Sequence, residues 1–393
     1  MVMQEFPQSR LVAAVPSSPS LATAQRARDI QAAGGDLVSL TIGEPDFPTP
    51  PEVVEAALAA ARRGETRYTP VTGTTALRAA IAAKFAQENG LHYDPASQIL
   101  VSTGAKQAIY NALTATLDPC DEVIVFAPYW VSYPSIAQLV GARPVVIATR
   151  REHGFVPRPE DLAAAITSRT RWVVLNYPNN PSGAVASLEQ YAALAEVLAR
   201  HPGIRVLSDE IYEHICYDGI VAPSFASVSP QMRERTLVIN GLSKAYAMTG
   251  WRLGYAAGPR DIIAAMSKLQ SHMTGGTSAV GQAAAVAALA MGSSYAARQV
   301  AAYEQRRDLV LTRLAASGAL RAVKPNGAFY VFVQVLPHRL PDAASVADYL
   351  LDHGVAVIDG AAFGYPGWFR ISVTVGQEAL EAGCERILKA FEG

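Results

Sequence analysis

Gly241-Leu242-Ser243-Lys244-Ala245-Tyr246-Ala247-Met248-Thr249-Gly250-Trp251-Arg252-Leu253-Gly254 is the stretch from which the fold can be read. A lysine follows one β-branched run, Thr236–Asn240, and an arginine precedes another, Leu253–Ala257. With both runs as strands, an amine and a planar cationic fork share one rim of a sheet. A lone loop lysine is usually solvated, so the neighbours along that rim decide what Lys244 is for.

Upstream, Gln98–Ser102, Glu122–Ala127, Arg171–Asn176 and Ile204–Ser208 also read as strands. Between them lie Ala- and Leu-rich helical patterns such as Lys106–Leu117 and Leu188–Arg200, long enough for crossover connections. This alternation predicts an α/β unit on a mostly parallel sheet. Ligands of open α/β sheets bind beyond the carboxyl ends of the strands. Polar residues stand at those ends: Gly104, Ala105 and Lys106 after the first strand, Trp130 after the second, Asn176 closing the third. Asp209 and Tyr212 follow the fourth and Lys244 the fifth. Their convergence predicts one site.

Further on, a long helical region from Gly276 to Ala316 leads to a strand at Gly327–Val335 and a helix at Ala344–His353. Strands at Val355–Ile358 and Phe369–Val373 and a terminal helix complete a smaller α+β unit. The N-terminal segment, punctuated by Pro16, Pro19, Pro45, Pro48, Pro50 and Pro51, reads as an extended arm. The expected division is an arm with part of the small domain over 1–48, a large domain over 49–290, and a small C-terminal domain with its linking long helix over 291–393.

With 50% hydrophobic residues, 17% charged residues and a net charge of −1 over 393 positions, the chain has the composition of a large globular core. It carries no basic footprint for nucleic acid or an anionic membrane. Cys120, Cys216 and Cys384 form no C-x-x-C pair, and the histidines show no H-x-x-x-H spacing, so neither a disulfide framework nor a metal centre is indicated. His214-Ile215-Cys216 reads as a buried strand edge. The apolar run from Leu11 to Val15 lacks the basic start of a signal peptide, and the one from Ala283 to Met291 falls short of the ~20 residues a membrane helix requires. A cytoplasmic protein is expected.

The run from Gly241 to Gly254 is similar throughout to the cofactor-attachment pattern of the class I aminotransferases: small, apolar, small, Lys, two free positions, small, apolar, one free, Gly, one free, Arg, apolar, Gly. The resemblance continues through Asn176-Tyr177-Pro178-Asn179-Asn180-Pro181-Ser182-Gly183, Ser208-Asp209-Glu210-Ile211-Tyr212, Pro325-Asn326-Gly327-Ala328-Phe329-Tyr330 and Trp368-Phe369-Arg370-Ile371-Ser372. Gly43-Glu44-Pro45-Asp46-Phe47, Thr103-Gly104-Ala105-Lys106-Gln107-Ala108 and Pro128-Tyr129-Trp130-Val131-Ser132-Tyr133 look most like the bacterial aspartate aminotransferase branch. The resemblance implies an α/β chain of the PLP-dependent transferase fold type I, with a large domain on a mostly parallel central sheet plus a smaller α+β domain. It also implies bound pyridoxal 5′-phosphate (PLP) and a homodimer with shared active sites.

Carried over residue by residue, the resemblance makes Lys244 the attachment lysine and proton carrier, and Asp209 the anion beside the pyridine nitrogen. Tyr212 and Asn176 would hydrogen-bond the ring oxygen. Gly104 and Ala105 open a helix directly after a strand, an anion site by construction; Arg252 and Lys106 would add charge. Family relatives often have a serine where Gly241 stands, which leaves that contact to Ser243. Tyr68 matches a tyrosine that reaches the neighbouring subunit's phosphate, and Trp130 an aromatic that stacks on the cofactor. Arg370 would clamp the substrate α-carboxylate, with Gly43, Trp130 and Asn176 around it.

Lys106 sits in the first turn of a helix, where a cation opposes the helix dipole, so its presence asks for a reason. The cofactor phosphate is one; the distal carboxylate of aspartate or glutamate is the other. The implied activity is a ping-pong transamination from an α-amino acid, best aspartate, to a 2-oxo acid, best 2-oxoglutarate. Aromatic amino acid or prephenate transamination is the alternative, and a PLP-dependent lyase or decarboxylase a remoter one. Two departures bear on the pocket: Val15-Pro16-Ser17-Ser18-Pro19-Ser20 replaces the usual arm motif, and Asp359-Gly360 the usual Pro-Gly, which would put an extra negative charge near the site mouth.

Overall fold

Consecutive apolar residues mark strands covered on both faces, and the runs named above gather in one seven-stranded sheet. The computed structural model describes residues 7–17, 19–341, 343 and 345–392. Along the chain, β1 is Val38–Ser39, β2 Ile99–Ser102, β3 Glu122–Ala127, β4 Arg143–Ala148, β5 Thr170–Asn176, β6 Arg205–Asp209, β7 Thr236–Gly241 and β8 Gly254–Ala257. The large sheet runs β2-β8-β7-β6-β5-β3-β4. Its neighbours are parallel except where β8 pairs antiparallel with β2 and β7. Every strand but β8 therefore ends on the same rim.

Helices cover both faces. Ile109 and Leu113 of helix Ala105–Thr116 and Ile262 and Met266 of helix Arg260–Ser271 are buried against one side, and Leu194 and Leu198 of helix Leu188–Ala199 against the other. Each such side chain stabilises the sandwich by roughly 1.5–3 kcal/mol. The last helix begins with a capping box, Ser187 and Gln190 exchanging side-chain and backbone bonds.

A second sheet is antiparallel, in the order β12 (Ile358–Asp359), β13 (Trp368–Ser372), β10 (Tyr330–Val335), β9 (Leu320–Val323). Helices Ser294–Leu314 and Gln377–Ala390 pack against it. Between the sheets, β1 pairs in parallel with β11 (Val355–Ala356), fixing the N-terminal segment to the C-terminal part of the chain. Among the described residues no helix is long and apolar enough to cross a membrane.

Several expectations need correction. The N-terminal segment is not extended throughout, because helix Pro19–Ala32 lies within it; proline is favoured in a first helical turn, where its missing N–H costs nothing. Strand β4 went unpredicted because Pro144 lies in it, and it is the sheet's edge, where proline is tolerated. The short β9 was also missed, and the strand expected from Gly327 begins at Tyr330. Val355–Ile358 divides into β11 and β12, which belong to different sheets. The long helical region breaks between Ala290 and Ser294, at a left-handed Gly292. Helix Ala344–His353 is found as Val346–Asp352, and Ala344, like Ser18, lies outside the described residues. Asp359 is not among the residues that line the cavity beyond the strand ends; its oxygens accept from the backbone of Ala361 and Ala347.

Candidate active site

Where the strands of the large sheet end, a cavity of about 1000 Å³ opens between the two sheets and the N-terminal segment. Lys106, Trp130, Asn176, Asp209, Tyr212, Ser243, Lys244, Arg252 and Arg370 all line it, as do Gly43 and Ala105. Gly104 caps the helix that forms part of its wall.

Lys244 lies just past β7 and donates from Nζ to the carbonyl of Gly43 at 2.5 Å. Burial pushes its ammonium down to about 8, helped by Arg370 and Arg252 and opposed by Glu44 and Asp209. An amine near 8 has a neutral, nucleophilic fraction at physiological pH, which an ordinary lysine lacks.

Asp209 ends β6 on the cavity floor and is 4% exposed. Its Oδ2 accepts from Tyr133 Oη at 2.6 Å and its Oδ1 from the backbone N–H of Ile211 at 3.2 Å. Burial raises its pKa to about 6, while the Tyr133 and Ile211 bonds and the charge of Lys244 hold it down. No helix follows Asp209, so it is not a helix cap. Asn176 is adjacent on β5, in register with Asp209; its amide donates to the Asp209 carbonyl at 3.0 Å and its Oδ1 accepts from Asn180 N.

The turn carrying Tyr212 is held from behind. Glu213 accepts from Lys84, Asn89 and Asn240; burial pushes its carboxyl up, but the charges of Lys84 and His214 together with the bonds from Lys84 and Asn89 hold it down near 2. His214, expected on a strand edge, pairs with Glu88 at 2.8 Å in the same cluster. Tyr212 is thus presented on a rigid base, its hydroxyl 2.9 Å from that of Tyr330.

An anion cradle sits at the start of helix Ala105–Thr116. First-turn amides have no intrahelical acceptor, and the helix dipole adds positive potential. Gly104 holds φ 82°, and a Cβ there would lie 2.3 Å from Arg252 Nη2. Gly254 is tighter: its Cβ would lie 2.2 Å from the backbone nitrogen of Ala105, which cannot yield. Arg252 adopts φ 53°, a left-handed conformation costing an ordinary residue roughly 1–2 kcal/mol. Its Nη1 donates to Thr249 O, and no carboxylate of the described residues pairs with it.

Arg370, on β13, is 4% exposed. Nη1 donates to Asn180 Oδ1 at 3.0 Å, Nη2 donates to Thr41 O at 2.9 Å, and Nε has no partner. Lys106 is exposed at the opening with Nζ 4.9 Å above the Trp130 ring; partial desolvation, then Arg252, lowers its pKa.

Tyr68 stands apart. It is fully exposed and lines a separate depression with Thr69, Gly276 and Thr277. Sequence reasoning also overlooked Tyr133, Asn180, Tyr330, Thr41 and Glu44. Most of these lie inside motifs that had been noticed, but what selects them is contact across the fold. Glu44, for example, accepts from Thr249 Oγ1 at 2.7 Å.

Comparison with known proteins agrees in extent and in kind. The family model for aminotransferase class I and II matches residues 35–387. The aspartate/prephenate aminotransferase of Cereibacter sphaeroides is 45% identical over 96% of this chain and 97% of its own length. The aspartate aminotransferase of Rhizobium meliloti is likewise 45% identical, over 98% of this chain and 96% of its own. A crystal structure of the aspartate aminotransferase from Rhizobium meliloti superposes with a TM-score of 0.94, at 43% identity and 99% coverage of both chains. The Thermus thermophilus aspartate aminotransferase with maleate gives 0.93 at 43% identity, covering 98% of this chain and 100% of that one.

Proposed function

Because this chain belongs to the class I and II aminotransferases, we propose that it moves an amino group from aspartate to 2-oxoglutarate by a ping-pong mechanism. PLP is its cofactor, and two copies share their sites. The observation that carries the substrate class is Arg370. A guanidinium buried with only neutral oxygens around it, one N–H unbonded, costs several kcal/mol. An α-carboxylate entering as a bidentate partner removes that cost. Lys106, a second cation at the same cavity without a carboxylate partner among the described residues, suits a distal carboxylate. The maleate named with the Thermus relative is itself a dicarboxylate.

The residues present fit PLP. A floor carboxylate, a lysine whose pKa is lowered and a glycine cradle against Arg252 are the donor set that a pyridinium, an aldehyde and a phosphate require. When bound, PLP supplies an electron sink for the bond broken at the substrate α-carbon. Lys244 would anchor it and hold or return the proton at that carbon. Asp209 would keep its negative charge against the ring nitrogen. Tyr212 and the second amide N–H of Asn176 would donate to the ring oxygen, while the other N–H and the Oδ1 of Asn176 brace Asp209 and Asn180. Gly104, Ala105, Ser243 and Arg252 would hold the phosphate, Trp130 would cover the ring, and Tyr68 would serve the second copy's site. Gly43 and Arg370 would orient the α-carboxylate. The free state of Cys120, Cys216 and Cys384 supports a cytoplasmic setting.

Purified protein supplied with PLP, aspartate and 2-oxoglutarate should yield oxaloacetate and glutamate. Alanine and carbon dioxide from aspartate alone would instead indicate a decarboxylase, and fumarate and ammonia a lyase. Prephenate is the second acceptor to test, favoured by the name of the Cereibacter relative.

A further inference from the structure

Strands β10 and β13 pair with Tyr330 opposite Ser372 and Phe332 opposite Arg370. Tyr330 and Arg370 are therefore diagonal neighbours on one face, a separation that an aromatic and a long side chain can span. They meet, with the guanidinium carbon 4.1 Å from the Tyr330 ring centre. At its other end the Tyr330 hydroxyl is 2.9 Å from that of Tyr212. A Cβ on Gly43 would lie 3.0 Å from the same hydroxyl, so the arm passes closely over it. Tyr330 is 2% exposed, and its hydroxyl has no other described partner.

The ring and the hydroxyl thus have separable tasks. A phenol has one proton to give. If Tyr212 gives its own to the group in the cavity, the bond between the two tyrosines must run from Tyr330 to Tyr212. We propose that Tyr330 is a positioning residue joining the halves of the site, its ring supporting Arg370 and its hydroxyl donating to Tyr212 so that the Tyr212 proton points into the cavity. The hydroxyl half rests on the reading of that cavity as a PLP site; the ring half does not. Donation by Tyr330 makes Tyr212 a stronger donor, since hydrogen bonds in a chain reinforce one another.

Tyr330→Phe and Tyr330→Leu separate the two tasks, with succinate, a dicarboxylate lacking an amino group, as the probe. By calorimetry, with and without PLP, Tyr330→Phe should bind succinate within about twofold of the wild type, and Tyr330→Leu about 3- to 30-fold more weakly, the value of a lost cation–π contact. In PLP-loaded Tyr330→Phe, the pH midpoint of the cofactor's visible absorbance change should rise by roughly 0.5–1 unit, because a weaker Tyr212 donor stabilises the ring oxygen's charge less. Equal losses of succinate affinity in both variants would overturn the ring assignment, and an unmoved midpoint in Tyr330→Phe the hydroxyl assignment. Wild-type protein that takes up no PLP would defeat the cofactor reading and the hydroxyl half with it, while the succinate series still decides the ring half.

Discussion

Tyr133 donates to Asp209 across 2.6 Å in a buried setting, and that bond opposes the burial that would otherwise leave the carboxyl neutral. Replacing Tyr133 with Phe removes a bond to a charged group, worth roughly 1.5–3 kcal/mol. The acid limb of the pH–rate profile should move up by about one unit, with kcat reduced roughly tenfold or more. An unmoved acid limb would show that the tyrosine is packing alone.

The raised pKa of Asp209 has a signed consequence for the cofactor-free protein. Its folded value, about 6, lies above the ordinary 3.8, so the native state binds more protons across that window and loses stability as pH rises through it. Asp209→Asn should relieve this cost at pH 8, raising the urea midpoint while activity falls by orders of magnitude. The difference from wild type should shrink as pH drops toward 4.

Lys244 has the opposite shift. With a folded value near 8 against the ordinary 10.5, its amine in cofactor-free protein should react with trinitrobenzenesulfonate with a midpoint near 8. Peptide mapping identifies the residue. Lys244→Ala should lose activity by roughly 10⁴-fold or more, as expected when anchor and proton carrier vanish together.

The cradle predicts an order of severity. Gly104→Ala strains a backbone at φ 82° by roughly 1–3 kcal/mol and meets the mobile end of Arg252, so it should fold with reduced stability and lose PLP affinity by displacing the guanidinium. Gly254→Ala meets backbone at 2.2 Å and should disrupt the join between β8 and the helix start, seen as low soluble yield.

At the substrate end, Arg370→Lys should raise KM for aspartate roughly 10- to 100-fold, because a point charge replaces a fork. Lys106→Ser should cost acidic donors more than alanine or phenylalanine. An unchanged preference for acidic donors across a donor panel would remove the distal-carboxylate role.

How much was legible follows from what each signal depends on. Lys244, Asp209 and Tyr212 stand at strand ends, and strand ends can be read from apolar runs. Tyr133, Asn180 and Tyr330 were harder, because their selection depends on register between strands distant in sequence, such as Tyr330 with Ser372. Helix Pro19–Ala32 was hidden by its own proline, and β4 by Pro144: one residue type, two permitted contexts that only tertiary position separates. Tyr68 matched a motif, yet within one chain it lies apart from the cavity that the other site residues line.

The solitary charge of Arg370 links ligand binding to folding. Any carboxylate that settles there binds the native state and not the unfolded one, so it adds stability that grows with the logarithm of its concentration over its dissociation constant, about 2.7 kcal/mol at a hundred times that constant. Thermal scans over a library of organic acids would therefore rank the compounds this protein accepts without a single turnover, and the ranking would reveal the substrate's shape before its product is known.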